Sequence, residues 1–329
     1  MQRKILVTLA TAVMVSLSAW AYAAGTTVGH VCDVEFAADK VGKAGWVILD
    51  ARSGEEYALG HIPGAVNYGK PASEVVRHPV DGRRLSDEKL AVLFGQIGLD
   101  NSKGLIVYGG KGDYRAGIEQ IPIYLGVKEF YFLDGGFDAW AREGKWVQKD
   151  LVQWIPGVFK PKVANLRFYV STYEMMQIAK NPPRNVTVID TRTRAEYDGV
   201  ENTTIRGGRF PGAIHINYDR NLDKETGKLL PNDALLELYK DIPKGNMVIL
   251  YGHKSSRTTF PYYALERLGY KNVRIYDDGW IVYGNRPDTK VENEAYQNRR
   301  ETIRQVGEIP ELKERIRVLE EKMRKLEKQ

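Results

Sequence analysis

Apolar residues in this chain fall in short runs separated by turn-forming positions, without the long stripes of a helical bundle. Trp46-Val-Ile-Leu-Asp50, Gly104-Leu-Ile-Val-Tyr108 and Phe130-Tyr-Phe-Leu-Asp134 are continuous apolar runs, a pattern that predicts strands buried on both faces. Between and after such runs come stretches with helical spacing, Ser86 to Ile97 and Asn232 to Tyr239. Alternation of this kind predicts a parallel α/β sheet.

The pattern then repeats. Val186-Thr-Val-Ile-Asp190-Thr-Arg192 restates Trp46-Val-Ile-Leu-Asp50-Ala-Arg52, 140 residues on. Each Asp-x-Arg leads to a Glu-Tyr pair, Glu56-Tyr57 and Glu196-Tyr197, and then to a Pro-Gly-Ala turn at Pro63 and at Pro211. A second strand pattern, a Gly/Lys-rich loop, a helix and an Asp-Gly turn follow in both halves. Two α/β domains are therefore predicted, at 25–150 and 166–292, joined by a linker at 151–165 that holds Pro156 and Pro161.

The ends differ from both halves. Residues 1–24 read as a signal peptide: Arg3 and Lys4, an apolar stretch from Ile5 to Trp20, then Ala21-Tyr-Ala23 at the cut. The expected destination is a bacterial periplasm. In the last segment, 293–329, Leu312, Ile316, Leu319, Met323 and Leu326 are spaced 4, 3, 4, 3, which predicts a short coiled-coil or packing helix. Self-association or docking of a protein partner through 309–329 is one expectation; packing on its own domain is the other.

Composition narrows the chemistry. With 43% hydrophobic and 27% charged residues the chain is ordinary globular material, and no segment after the leader is apolar enough to span a membrane. The formal charge of +6 comes from bases interspersed with acids, which argues against nucleic acid. One cysteine, Cys32, excludes an intrachain disulfide and an all-cysteine metal site, and the five histidines lack metal-ligand spacing. No metal and no cofactor are expected. The Asp50–Arg52–Glu56 and Asp190–Arg192–Glu196 sets read as buried ion pairs at strand ends, and His61 and His215 as turn or partly buried positions.

The order of these motifs, with Gly60-His-Ile-Pro-Gly-Ala65 and Asp134-Gly-Gly-Phe137-x-x-Trp140, resembles the tandem rhodanese-like proteins, the thiosulfate and 3-mercaptopyruvate sulfurtransferases, over residues 35–290. The resemblance implies two rhodanese-like domains, each a mainly parallel sheet flanked by helices. It also implies a mechanism: a cysteine at the first position of a six-residue loop takes sulfur as a persulfide, cradled by backbone N–H groups at a helix start. In that family the second domain normally carries the cysteine.

Here the second loop reads Gly252-His253-Lys254-Ser255-Ser256-Arg257, with glycine at the cysteine position; the first, from Gly109 to Arg115, has no cysteine either. Without the nucleophile the covalent route is gone. The loop that remains is expected to bind a small oxyanion such as thiosulfate, sulfite or selenite, or a sulfur-bearing partner, through residues 252–257, with Gly252 opening space for the anion. Two alternatives stay open: a sulfurtransferase using Cys32 or a partner's thiol, and an envelope scaffold acting through its C-terminal helix.

Overall fold

The computed structural model describes residues 27–296, save 80, 81 and 164, together with Glu314 and Arg317. Residues 1–24, the expected signal peptide, and the heptad positions Leu312, Ile316, Leu319, Met323 and Leu326 lie outside the described residues. Among the described residues no helix is long and apolar enough to cross a membrane.

The first-half strands are β1 (Thr27–Val28), β2 (Val31–Cys32), β3 (Trp46–Asp50), β4 (Val66–Asn67), β5 (Gly104–Tyr108) and β6 (Phe130–Leu133). They form one sheet in the order β1-β2-β6-β5-β3-β4, parallel except for the β1–β2 hairpin. In the second half β7 (Tyr169–Val170), β8 (Val186–Asp190), β10 (Ile214–His215), β11 (Met247–Tyr251) and β12 (Val273–Tyr276) form a parallel sheet, β10-β8-β11-β12-β7. The central strands are buried along most or all of their length, as continuous apolar runs require. β9 (Arg206–Arg209) and β13 (Glu292–Tyr296) add an antiparallel ribbon. That ribbon corrects the expectation of helix from residue 293: the chain enters a strand there, paired back onto its own domain.

The Asp-x-Arg repeats end β3 and β8 in the same way. Arg52 Nε and Nη2 donate to the Asp50 carboxylate and Nη2 also donates to the Gly60 carbonyl; Arg192 does the same with Asp190 and Gly208. Tyr108 and Tyr251, opposite Asp50 and Asp190 in register, donate their hydroxyls to those carboxylates at 2.7 and 2.5 Å. Each buried ion therefore has several partners, the condition for tolerating it in a core. The glutamates depart from the expected sets. Glu56 is exposed and closes a capping box with Ser53, whereas Glu196 caps its helix and also reaches Arg257.

Cys32 is in β2, hydrogen-bonded beside β6 and fully buried among Val34, Ala37 and Leu133. Burial, with Asp33 and Asp134 nearby, pushes its thiol well above the ordinary range. For the alternative of a sulfurtransferase using Cys32, the thiol is held in a strand of the first sheet.

The halves meet over a continuous core. Phe132 of the first sheet stacks on Tyr263 at 5.6 Å, and Gly117 lies against Thr259, where even a Cβ would meet the Thr side chain at 2.3 Å. Arg77, almost fully buried, crosses the seam to donate to Asp277 at 2.7 Å and to Ser255. Asp134 accepts from the Leu229 N–H at 2.9 Å; burial raises its pKa to about 6 against the pull of that N–H and of Arg267 and Lys228.

Candidate anion site at the second-domain loop

β11 ends at Tyr251, and the loop begins with Gly252. The carbonyls of Gly252 and His253 accept from Trp280 and Ile281 at the start of helix Gly279–Tyr283, at 2.8 and 2.9 Å. That approach needs a glycine at 279: its φ is +61°, and a Cβ would stand 2.6 Å from the His253 carbonyl oxygen. Gly136 repeats the arrangement against Gly109 in the first half. The loop then turns into a 3₁₀ stretch, Ser255–Thr258, followed by helix Thr259–Arg267.

Gly252 does not leave the space expected of it. A Cβ there would lie 2.6 Å from the Lys254 carbonyl oxygen, 3.2 Å from Arg257 Cβ and 3.3 Å from Thr191 Oγ1. The loop has folded its own carbonyl toward the position from which a cysteine side chain would start. The first-half loop is closed as well: a Cβ at Gly109 would meet Ala116 Cβ at 2.4 Å. Neither loop is shaped to carry a side chain at the family's nucleophile position.

Ser255 is withdrawn too. It is fully buried, accepts from Arg77 and donates to Asp277 at 2.7 Å, so it is a seam residue and not a ligand group. His253, Lys254, Ser256 and Arg257 do share a space. They form one side of a cleft of about 800 Å³ between the halves, whose other side includes Lys70, Arg77, His78 and Tyr114. Sequence reasoning found the second-domain side and missed the first-domain side, because residues 68–79 carry no motif and reach the loop only through the packing of the halves.

The cations of this cleft are unequal. Arg257 donates to the Glu196 carboxylate; burial opposes that carboxylate's charge, yet Arg257 and Arg192 hold its pKa below the ordinary range. Arg77 is held by Asp277, and Arg115 donates to Asp113 at 2.9 Å. Burial lowers His253 to about 4, so the ring is neutral near pH 7, with Nδ1 3.2 Å from Thr203 Oγ1. Among the described residues no carboxylate pairs with Lys70 or Lys254 in an ion pair. His61 and His215 lie elsewhere: His61 is buried and stacked on Tyr57 at 3.8 Å, and His215 contacts the Arg192 carbonyl. Among the described residues no cluster of His, Cys, Asp and Glu is arranged to hold a metal.

Comparison with known proteins agrees with this architecture. The Rhodanese-like domain model matches twice, at residues 33–143 and 173–285. A thiosulfate sulfurtransferase of Azotobacter vinelandii is 26% identical over 249 residues, covering 75% of this chain and 90% of the relative. One of Pseudomonas aeruginosa is 28% identical, covering 78% and 94%. A sulfur carrier protein of Thermus thermophilus, TtuD, is 25% identical over 72% of this chain and 85% of its own length. Among solved structures, the anaerobic ergothioneine biosynthesis enzyme of Chlorobium limicola, in complex with trimethyl histidine, superposes with a TM-score of 0.69 at 19% identity, covering 80% of this chain and 70% of that one; the likeness is one of fold. With two rhodanese-like domains spanning most of its length, and with glycine at the nucleophile position of each loop, this chain belongs to the rhodanese family of sulfurtransferase-like proteins.

Proposed function

We propose that this protein is an exported pseudoenzyme of its family: it binds an anion in the cleft between its domains and forms no persulfide. The observation that carries the reading is the Lys254 carbonyl lying 2.6 Å from where a side chain at position 252 would begin. Persulfide chemistry needs a thiolate there, surrounded by donors. This loop offers neither the sulfur nor the room, and the one thiol of the chain is buried in β2. What supports anion binding is the cationic cleft, lined by Lys254 and Arg257 of the loop. The relatives named thiosulfate sulfurtransferase make a sulfur oxyanion the first ligand class to try. The amino-terminal segment, read as a signal peptide, supports export.

The test is a thermal-unfolding titration with thiosulfate, sulfite, selenite, sulfate and phosphate, run beside Lys254→Ala and Arg257→Ala. A ligand at one hundred times its Kd adds about 2.7 kcal/mol, a shift of several degrees. A selective shift that both substitutions weaken supports the reading. No shift with any of these anions, or sulfur transfer from thiosulfate to cyanide by the unaltered protein, overturns it.

A further inference from the structure

Resting on the anion-binding reading, we infer a class of ligand: an organic dianion that bridges the two domains, one acidic group on Lys70 and the other on Lys254, in place of a lone inorganic oxyanion. Three observations point to it.

The first is size. About 800 Å³ lies within the range of pockets that enclose organic ligands and far exceeds what an ion of a few atoms fills. At position 252 the Lys254 carbonyl oxygen stands where a side chain would begin, and so presents an acceptor, not a donor, to a small anion seated there. A ligand therefore lies in the outer cleft, between residues 68–79 of the first domain and the loop of the second.

The second is charge commitment. Arg77, Arg115 and Arg257 already donate to Asp277, Asp113 and Glu196, and His253 has no charge to offer. Of the lysines and arginines that line the cleft, the two without a carboxylate partner among the described residues are Lys70 and Lys254, one from each domain. A single-centred anion uses one of them well. A dianion uses both, and gains doubly because the second contact is made within an already bound ligand.

The third is the apolar part of the lining. Val75 and Pro79 give it an aliphatic surface, and the Tyr114 ring, packed on Tyr218 at 4.5 Å, gives it a fixed aromatic one. These surfaces suit a carbon chain and have nothing to offer an inorganic ion. Glu74, also in the lining, disfavours a third acidic group.

The experiment compares matched probes by calorimetry: glutarate, adipate and propane-1,3-disulfonate against butyrate and thiosulfate, on the unaltered protein, Lys70→Ala and Lys254→Ala. Unfolding temperatures without ligand check that each variant is folded; both lysines are partly or fully solvent-facing, so folding should survive. The expected result is that at least one dianion binds about tenfold more tightly than butyrate, as a second charge-assisted contact warrants. That preference should collapse in each single variant. If thiosulfate binds and the dianions show no preference over butyrate, or a preference that Lys70→Ala leaves intact, the bridging ligand is overturned while the anion-binding reading stands. If no anion binds at all, both fall together.

Discussion

Restoring the missing residue should not restore the chemistry. In Gly252→Cys the new Cβ would sit 2.6 Å from the Lys254 carbonyl oxygen, with Arg257 Cβ and Thr191 Oγ1 at 3.2 and 3.3 Å. The nearest of these is backbone, which cannot swing aside as a side-chain tip can. It is anchored on both flanks: His253 O is held by Ile281, and Ser255 is clamped by Arg77 and Asp277. Accommodating the side chain means moving that segment, an overpacking cost of about 1–3 kcal/mol. For a protein of this size that lowers the unfolding temperature by roughly 2–5 °C. The thiol would also face a carbonyl oxygen where a cradle should present N–H donors, which disfavours the thiolate. In the family's reaction a thiolate attacks the outer sulfur of thiosulfate, breaks the S–S bond and releases sulfite, leaving a cysteine persulfide. Mass spectrometry of Gly252→Cys after incubation with thiosulfate should show no gain of a sulfur atom, and no thiocyanate should form on adding cyanide. Gly252→Ala separates the steric part, since it carries the same Cβ and should lose a similar number of degrees. A Gly252→Cys protein as stable as its parent, gaining sulfur stoichiometrically and releasing sulfite, would refute the argument that the loop is closed.

Other consequences can be checked in the same preparations. Cys32 should react with a thiol reagent only as fast as the protein unfolds, and promptly in denaturant; rapid labelling of the folded protein would place it outside the sheet. Arg77→Leu removes the shorter of two arginine contacts to Asp277, leaving Arg84 at 3.6 Å and the Ser255 hydroxyl, and should cost about 1–3 kcal/mol in thermal unfolding; no measurable loss would mean that Arg77 is not a latch. Glu196→Gln keeps a helix-capping side chain but releases Arg257, so affinity for anions in the cleft should rise about three- to tenfold in a binding titration. Two of the shifted acid–base groups, His253 and Asp134, oppose each other. His253, lowered to about 4, contributes stability that is present above its unfolded pKa near 6.5 and lost as pH falls toward 4. Asp134, raised to about 6, contributes stability that is present below about 4 and lost as pH rises through 6. Relative to the parent, His253→Gln should therefore gain stability on acidification across this window and Asp134→Asn should lose it; the reverse order would show that the signs are misassigned.

Much of this architecture is legible along the chain because local rules write it. A strand buried on both faces must be apolar at successive positions, so β3, β5, β8 and β11 stand out. An arginine two residues after a strand-end aspartate can reach back to that carboxylate, and both Asp-x-Arg pairs do so. Serine or threonine followed three residues later by glutamate writes a capping box, and both copies form one. Even so, the boxes show how far local reading goes. The two glutamates occupy the same place in the repeat, yet Glu56 ends in solvent and Glu196 against Arg257, because the first-domain loop's Arg115 is taken by Asp113.

The candidate site is the part that local rules do not write. A glycine at a cysteine position can be read as a hole or as a closure, and the choice depends on where a carbonyl two residues later points. That direction is set by Ser255 being drawn into the seam, and Ser255 is drawn there by Arg77, 178 residues earlier. Asp277, the third member, is a further 22 residues beyond Ser255. No periodicity or spacing links these positions; packing of the halves does. The same packing supplies Lys70 and Tyr114 as the far wall of the cleft and commits Arg257 to Glu196. A loop motif read alone thus yields its inventory of charges but not which of them are free. In this protein the distinction separates a nest for an inorganic ion from a cleft whose two lysines without a carboxylate partner among the described residues, Lys70 and Lys254, stand on opposite domains.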